Sequence, residues 1–94
     1  MTIECTRWQW RLEQAAKEVE GQAKSEAYMA AWRLNRLAGE LVARQHVGES
    51  PTEAIAHRRD HAKEQAERGD REAKLEYEAL ARLLPELGKG VGVR

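Results

Sequence analysis

Residues Lys24 to His46 read KSEAYMAAWRLNRLAGELVARQH, and this stretch decides the fold. At about 100° per residue, Tyr28, Met29 and Trp32 fall on one side of a helix, with Ala30, Leu34, Leu37 and Leu41 nearly opposite. Ala31, Ala38 and Val42 lie between, while Glu26, Arg33, Arg36, Glu40 and Arg44 share one narrow polar stripe. Most of the circumference is therefore apolar, the pattern of a helix that touches several neighbours. The expectation is an all-α bundle of three to four helices with this long helix at its centre.

Moving toward the C-terminus, His46-Val47-Gly48-Glu49 reads as a loop, and Ser50-Pro51-Thr52-Glu53 is a helix start. Ser caps, Pro takes the first helical position, where its missing N–H costs nothing, and Glu closes a capping box. The helix predicted from there to about Arg68 has only Ile55, Ala62, Ala66 and the Arg59 stem as an apolar arc, so it reads as a covering helix. Gly69-Asp70 is a stop followed by a cap. A last helix follows with Ala73, Tyr77, Leu80, Ala81 and Leu84 on one face, limited by Pro85. The glycine-spaced stretch 88–94 has no period and is expected to be a flexible tail outside a single helical domain of residues 1–87.

Toward the N-terminus, Thr6 and Gln9 fit a capping box, placing a helix start at Arg7. Trp8, Leu12, Ala15 and Val19 then form its core arc, and Gly21 marks its end or a kink. Trp10 lies about 200° round from Trp8. Cys5 and Trp10 would pack as a hydrophobic staple.

The stretch from Ala62 through Gly69-Asp70 to Ala73, Tyr77, Ala81 and Pro85 resembles one tetratricopeptide hairpin, whose short turn and small residues let two helices pack closely. Ala73, Tyr77 and Pro85 lie one residue nearer the glycine than in that pattern, and Arg58 and His61 take positions that are usually apolar. The resemblance covers about a third of the chain and implies an antiparallel helix pair.

Composition narrows the function. Ninety-four residues with 41% apolar side chains leave no room for a large catalytic core. Sixteen basic and sixteen acidic residues cancel, so no whole-molecule field draws the chain to nucleic acid or to an acidic membrane. No run approaches the roughly 18–20 apolar residues of a membrane span, and the first residues lack a signal-peptide core. The lone Cys5 forms no intrachain disulfide, which suits a reducing, cytoplasmic compartment.

Three groups of residues could carry chemistry. His57 and His61 stand one turn apart with Glu53 on the same side, so two imidazoles and a carboxylate could approach one metal ion. The residues between them are Arg58-Arg59-Asp60, and two arginines disfavour a dication. Arg7-Trp8-Gln9-Trp10-Arg11 and His57-Arg58-Arg59 have the look of a nucleic-acid contact, but Trp8 belongs to the core arc and acids are interspersed through the second cluster. No nucleophile with a positioned base and no phosphate loop is found, so neither an enzyme nor a bound cofactor is expected.

The favoured expectation is a non-enzymatic regulatory protein that docks an apolar, aromatic face on a protein partner, as a monomer or a homodimer. Trp10, Tyr28, Met29 and Trp32 would make that face, with Arg33 and Arg36 at its rim. Small motif-poor helical proteins of this length occur among bacterial regulators and among phage or plasmid inhibitors of host machines, anti-CRISPR proteins included. The alternatives are a nucleic-acid-binding regulator using the Arg/Trp and His/Arg clusters, and a metal-binding protein using His57, His61 and Glu53.

Overall fold

The computed structural model describes the backbone of residues 3–22 and 25–92 and the side chains of 6–22 and 25–86. It is all-α, with four helices: α1 (Ile3–Glu20), α2 (Ser25–His46), α3 (Pro51–Glu67) and α4 (Arg71–Gly92), and no strand among the described residues. Short connections fold the chain into two antiparallel hairpins. α1 packs chiefly on α2 and α3 chiefly on α4, while α2 also touches α3 and α4. The central position expected for α2 follows from its apolar circumference.

The local signals explain the corners. Ser50 Oγ accepts the Glu53 N–H at 3.2 Å, and the Glu53 carboxylate accepts the Ser50 N–H at 3.2 Å, so the capping box is formed with Pro51 inside the start. α2 and α3 end alike. The Glu49 N–H reaches the Arg44 carbonyl and the Gly48 N–H the Gln45 carbonyl; Asp70 and Gly69 repeat this on Gln65 and Ala66. This double closure needs a left-handed residue, supplied by Gly48 at φ 90° and Gly69 at φ 99°. Asp70 then caps α4 by accepting the Ala73 N–H at 3.0 Å.

Trp8, Leu12, Ala15 and Val19 are buried as their arc requires, joined by Ala16. On α2 the buried set is Ala27, Ala30, Ala31, Leu34, Leu37, Ala38 and Leu41. Among the described residues ten of the nineteen buried apolar ones are Ala, so the helices approach closely and each contact removes little area. Trp8 and the fully buried Leu12, Leu34, Leu41, Ile55, Leu80 and Leu83 therefore carry a disproportionate share.

Several expectations are corrected. α1 begins by Ile3, with Thr6 inside it, because nothing in Ile3-Glu4-Cys5 breaks a helix. The Cys5–Trp10 staple falls on a side chain outside the described residues. Gly21 ends α1 in a turn whose N–H reaches the Lys17 carbonyl, so α1 and α2 are separate helices. Pro85 does not limit α4, which runs through it to Gly92. The proline forfeits one bond to the preceding turn, and its exposed position keeps the ring clear of the core. Residues 88–92, expected in the tail, have helical backbone. The buried face of α4 is also rotated: Ala73, Glu76, Ala79, Leu80 and Leu83 are buried, and Tyr77, Ala81 and Leu84 are half-buried beside them. An acidic residue at the centre of a core face defeats a reading based on apolar periodicity.

Candidate functional site

α2 presents two polar or open sides besides its core side, and they differ in kind. The first faces the α3–α4 hairpin. Glu76 of α4 is fully buried and is held by Arg58 of α3, whose Nε and Nη2 both donate to its carboxylate, the latter at 2.8 Å. Arg33 of α2 reaches the same carboxylate at 3.7 Å and adds Asp70 at 3.8 Å and Glu72 at 3.3 Å. The hydrogen bond that Arg58 donates to Glu76 raises its guanidinium above the ordinary range. Further along, Arg44 Nη1 lies 2.8 Å from the Glu49 carboxylate and Arg44 Nη2 3.5 Å from Glu40. Arg33, Glu40 and Arg44 of the polar stripe are thus engaged in ion pairs within the protein, although their charges read as a solvent face.

Between these groups lies a cavity of about 340 Å³, walled by Trp32, Arg33, Arg36, Arg44, Arg58 and Gln65 among others. Three atoms on its wall are buried with no hydrogen-bond partner: Arg33 Nη1, Arg44 Nε and Gln65 Oε1. Arg33 Nη1 is nonetheless in ionic reach of Asp70 and Glu76. The four arginines suggest an anion site, but the charge count opposes it. Asp70, Glu72, Glu76, Glu40 and Glu49 already pair with them, five carboxylates for four guanidiniums. An added anion would meet a net negative surround.

The other side of α2 faces out. Ser25, Tyr28, Met29, Trp32, Asn35, Arg36, Gly39 and Ala43 are all exposed and fall within about 120° of its circumference. Tyr28, Met29 and Trp32 are 56%, 42% and 55% exposed. Arg36 lies over the Trp32 ring at 5.5 Å from its centroid and 3.6 Å from Glu40, so a cation settles the indole in place. Of the six residues expected to make a docking face, Tyr28, Met29, Trp32 and Arg36 share this side. Arg33 is turned inward to α4, and Trp10, 56% exposed, stands on α1 on the side away from buried Trp8 and Leu12. The same eight-residue list shows what periodicity left out: Gly39 and Ala43 belong to the stripe, and their small size drew no notice.

The residues behind the two alternatives are occupied otherwise. His57 Nδ1 lies 2.5 Å from the Glu49 carboxylate, and Glu53 is engaged in its capping box, so neither turns toward exposed His61. No group of three or more His, Cys, Asp or Glu among the described residues is placed to hold a metal ion. Of the basic clusters, Arg7 lies over Trp8, Arg11 is paired with Glu86 at 2.9 Å, Arg58 with Glu76 and Arg59 with Asp60 at 2.9 Å. Among the described residues no helix is long and apolar enough to cross a membrane. Comparison with protein-family models, with curated proteins and with solved structures finds no match to this chain.

Proposed function

We propose that the protein acts without catalysing a reaction, by docking the outward face of α2 on another protein. One observation carries this reading: three large apolar side chains, Tyr28, Met29 and Trp32, stand in water on one face of the helix whose opposite face is the core. Aromatic side chains supply wide contact area with few rotatable bonds, and a single cluster of them carries most of the affinity of an interface. Arg36 adds a charge-bearing donor at the rim and holds Trp32 ready. Trp10 on α1 is a second, separate contact. The cancellation of charge and the pairing of the arginines support a protein partner over nucleic acid. A regulator or inhibitor of a bacterial machine, of the phage- or plasmid-borne kind that includes anti-CRISPR proteins, would work in this way in the cytoplasm.

The test compares two baits, the parent chain and Trp32→Ala, against one bacterial lysate with quantitative mass spectrometry. The reading expects a protein retained by the parent and depleted at least about tenfold by the variant, as fits a central aromatic contact. Both baits should show the same helical circular dichroism. Identical retained sets with both baits folded and the parent monomeric would overturn it.

A further inference from the structure

We infer that the outward stripe of α2 is covered by the same stripe of a second copy of this chain, the two helices running antiparallel about a two-fold axis between Asn35 and Arg36. The inference rests on the reading of this face as a docking surface and supplies its occupant. Along the stripe the order is Ser25, Tyr28, Met29, Trp32, then Asn35 and Arg36, then Gly39, Ala43 and His46, with the aromatic residues in the first half and the smallest residues, Gly39 and Ala43, at the matching places of the second. A two-fold axis between residues 35 and 36 pairs each position with the one that completes a sum of 71. Trp32 then lies on Gly39 of the second copy and Tyr28 on its Ala43, and both contacts occur twice. Isologous contact of this kind requires a surface complementary to itself, and this order provides it. A parallel pairing would set Trp32 on Trp32 and Gly39 on Gly39, crowding one end and leaving a gap at the other.

Gly39 points the same way independently. Glycine is the poorest helix former after proline, yet it stands near the middle of a 22-residue helix. Nothing within the single chain asks for it: a Cβ built there meets no atom within 4 Å, and its φ is not left-handed. What glycine permits there is close approach from outside. The area is sufficient as well. Twenty-two residues at 1.5 Å rise make α2 about 33 Å long, so a stripe about 15 Å wide offers roughly 500 Å² per copy. The roughly 1,000 Å² of the pair is where specific association begins, which fits a weak, concentration-dependent dimer.

The experiment is light scattering on the full chain up to about 0.5 mM, a concentration at which a weak dimer is populated. The parent should rise from 10.7 kDa toward twice that mass with concentration. Gly39→Leu should stay at 10.7 kDa with an unchanged or higher Tm, since leucine enters open space and is the better helix former. Trp32→Ala should also stay monomeric. In a Cys5→Ser background, Asn35→Cys should join two copies through a short bis-maleimide linker, because residue 35 sits at the axis. Ser25→Cys should not, its two sites being about 32 Å apart. A parent that stays at 10.7 kDa, a Gly39→Leu variant that still dimerises, or linkage through Ser25→Cys alone would overturn the inference. A monomeric parent whose lysate partner is still lost with Trp32→Ala refutes the second copy and leaves the docking face standing; a monomeric parent with no such partner refutes both.

Discussion

The two open sides of α2 invert the usual arrangement of residue types. Toward α3 and α4 the helix places Arg33, Glu40 and Arg44, and these are drawn into ion pairs around buried Glu76 and half-buried Glu49. Toward water it places Tyr28, Met29 and Trp32. The lesson is that side-chain chemistry alone does not tell which way a helix turns; what decides is the chemistry of the neighbours. Burying an arginine becomes tolerable where a carboxylate waits, and exposing a tryptophan becomes informative where nothing in the fold needs it. The inner side therefore concerns stability and the relative placement of the hairpins, and the outer side is where the proposed association would take place.

The sharpest way to break this contrast is at Glu76. Glu76→Ala leaves Arg58 and Arg33 without the carboxylate that both address, and the loss should be about 3 kcal/mol, read as a lower urea midpoint at unchanged slope. A loss below about 1 kcal/mol would mean that water replaces the pair and that the inner side is no more structural than an exposed one. Next in size is Gly69→Ala, which forces a Cβ into φ 99° at the α3–α4 corner and should cost about 1–2 kcal/mol. Gly21→Ala, at a turn without a positive φ, should cost less, and equal costs at the two would refute the distinction between these corners.

Much of the fold was legible in the chain because its signals are local. Ser50-Pro51-Thr52-Glu53 and Gly69-Asp70 carry their structure in a few residues, and the core faces of α1 and α2 follow from one period. The buried face of α4 was misread for a tertiary reason: Glu76 is core only because Arg58, eighteen positions earlier, and Arg33 on another helix converge on it. Pro85 was read as a stop because propensity is summed locally, whereas α4 continues beyond it with Leu80 and Leu83 packed just before. The outward aromatics were legible as an excess of apolar circumference, but their separation from Trp10 and from Arg33 was not. Spacing along one helix does not say which arc its neighbours leave uncovered.

On the outer side the expected effects on stability are smaller, and that smallness is the point. Trp32→Ala should change the unfolding free energy by no more than about 0.5 kcal/mol at low micromolar protein, as for an exposed residue outside the core. The parent should gain stability with concentration while Trp32→Ala does not, since association favours the folded state by mass action. A large loss at every concentration would instead make Trp32 part of the core and erase the difference between the two sides.

The smallest expected effect is a pH dependence at the α2–α3 corner, on the inner side. The hydrogen bond from Arg44 first, and that from His57 second, hold the Glu49 carboxyl below the usual carboxylate range. In the unfolded chain the carboxyl returns to that range, so between the two values the unfolded state binds more protons than the folded one. The stabilisation is therefore fully present above the usual carboxylate range and is lost as the pH falls through the lower, folded value. The same bond raises Arg44 above its ordinary range, so nothing on that partner titrates in the acid limb. Denaturation followed across the acid range should show a shallow decline in the parent. The decline should flatten in Arg44→Gln, where the strongest cause is removed, and should persist in His57→Gln, where the lesser one is. A decline that His57→Gln abolishes and Arg44→Gln leaves intact would assign the corner to the imidazole and detach it from the arginine stripe of α2.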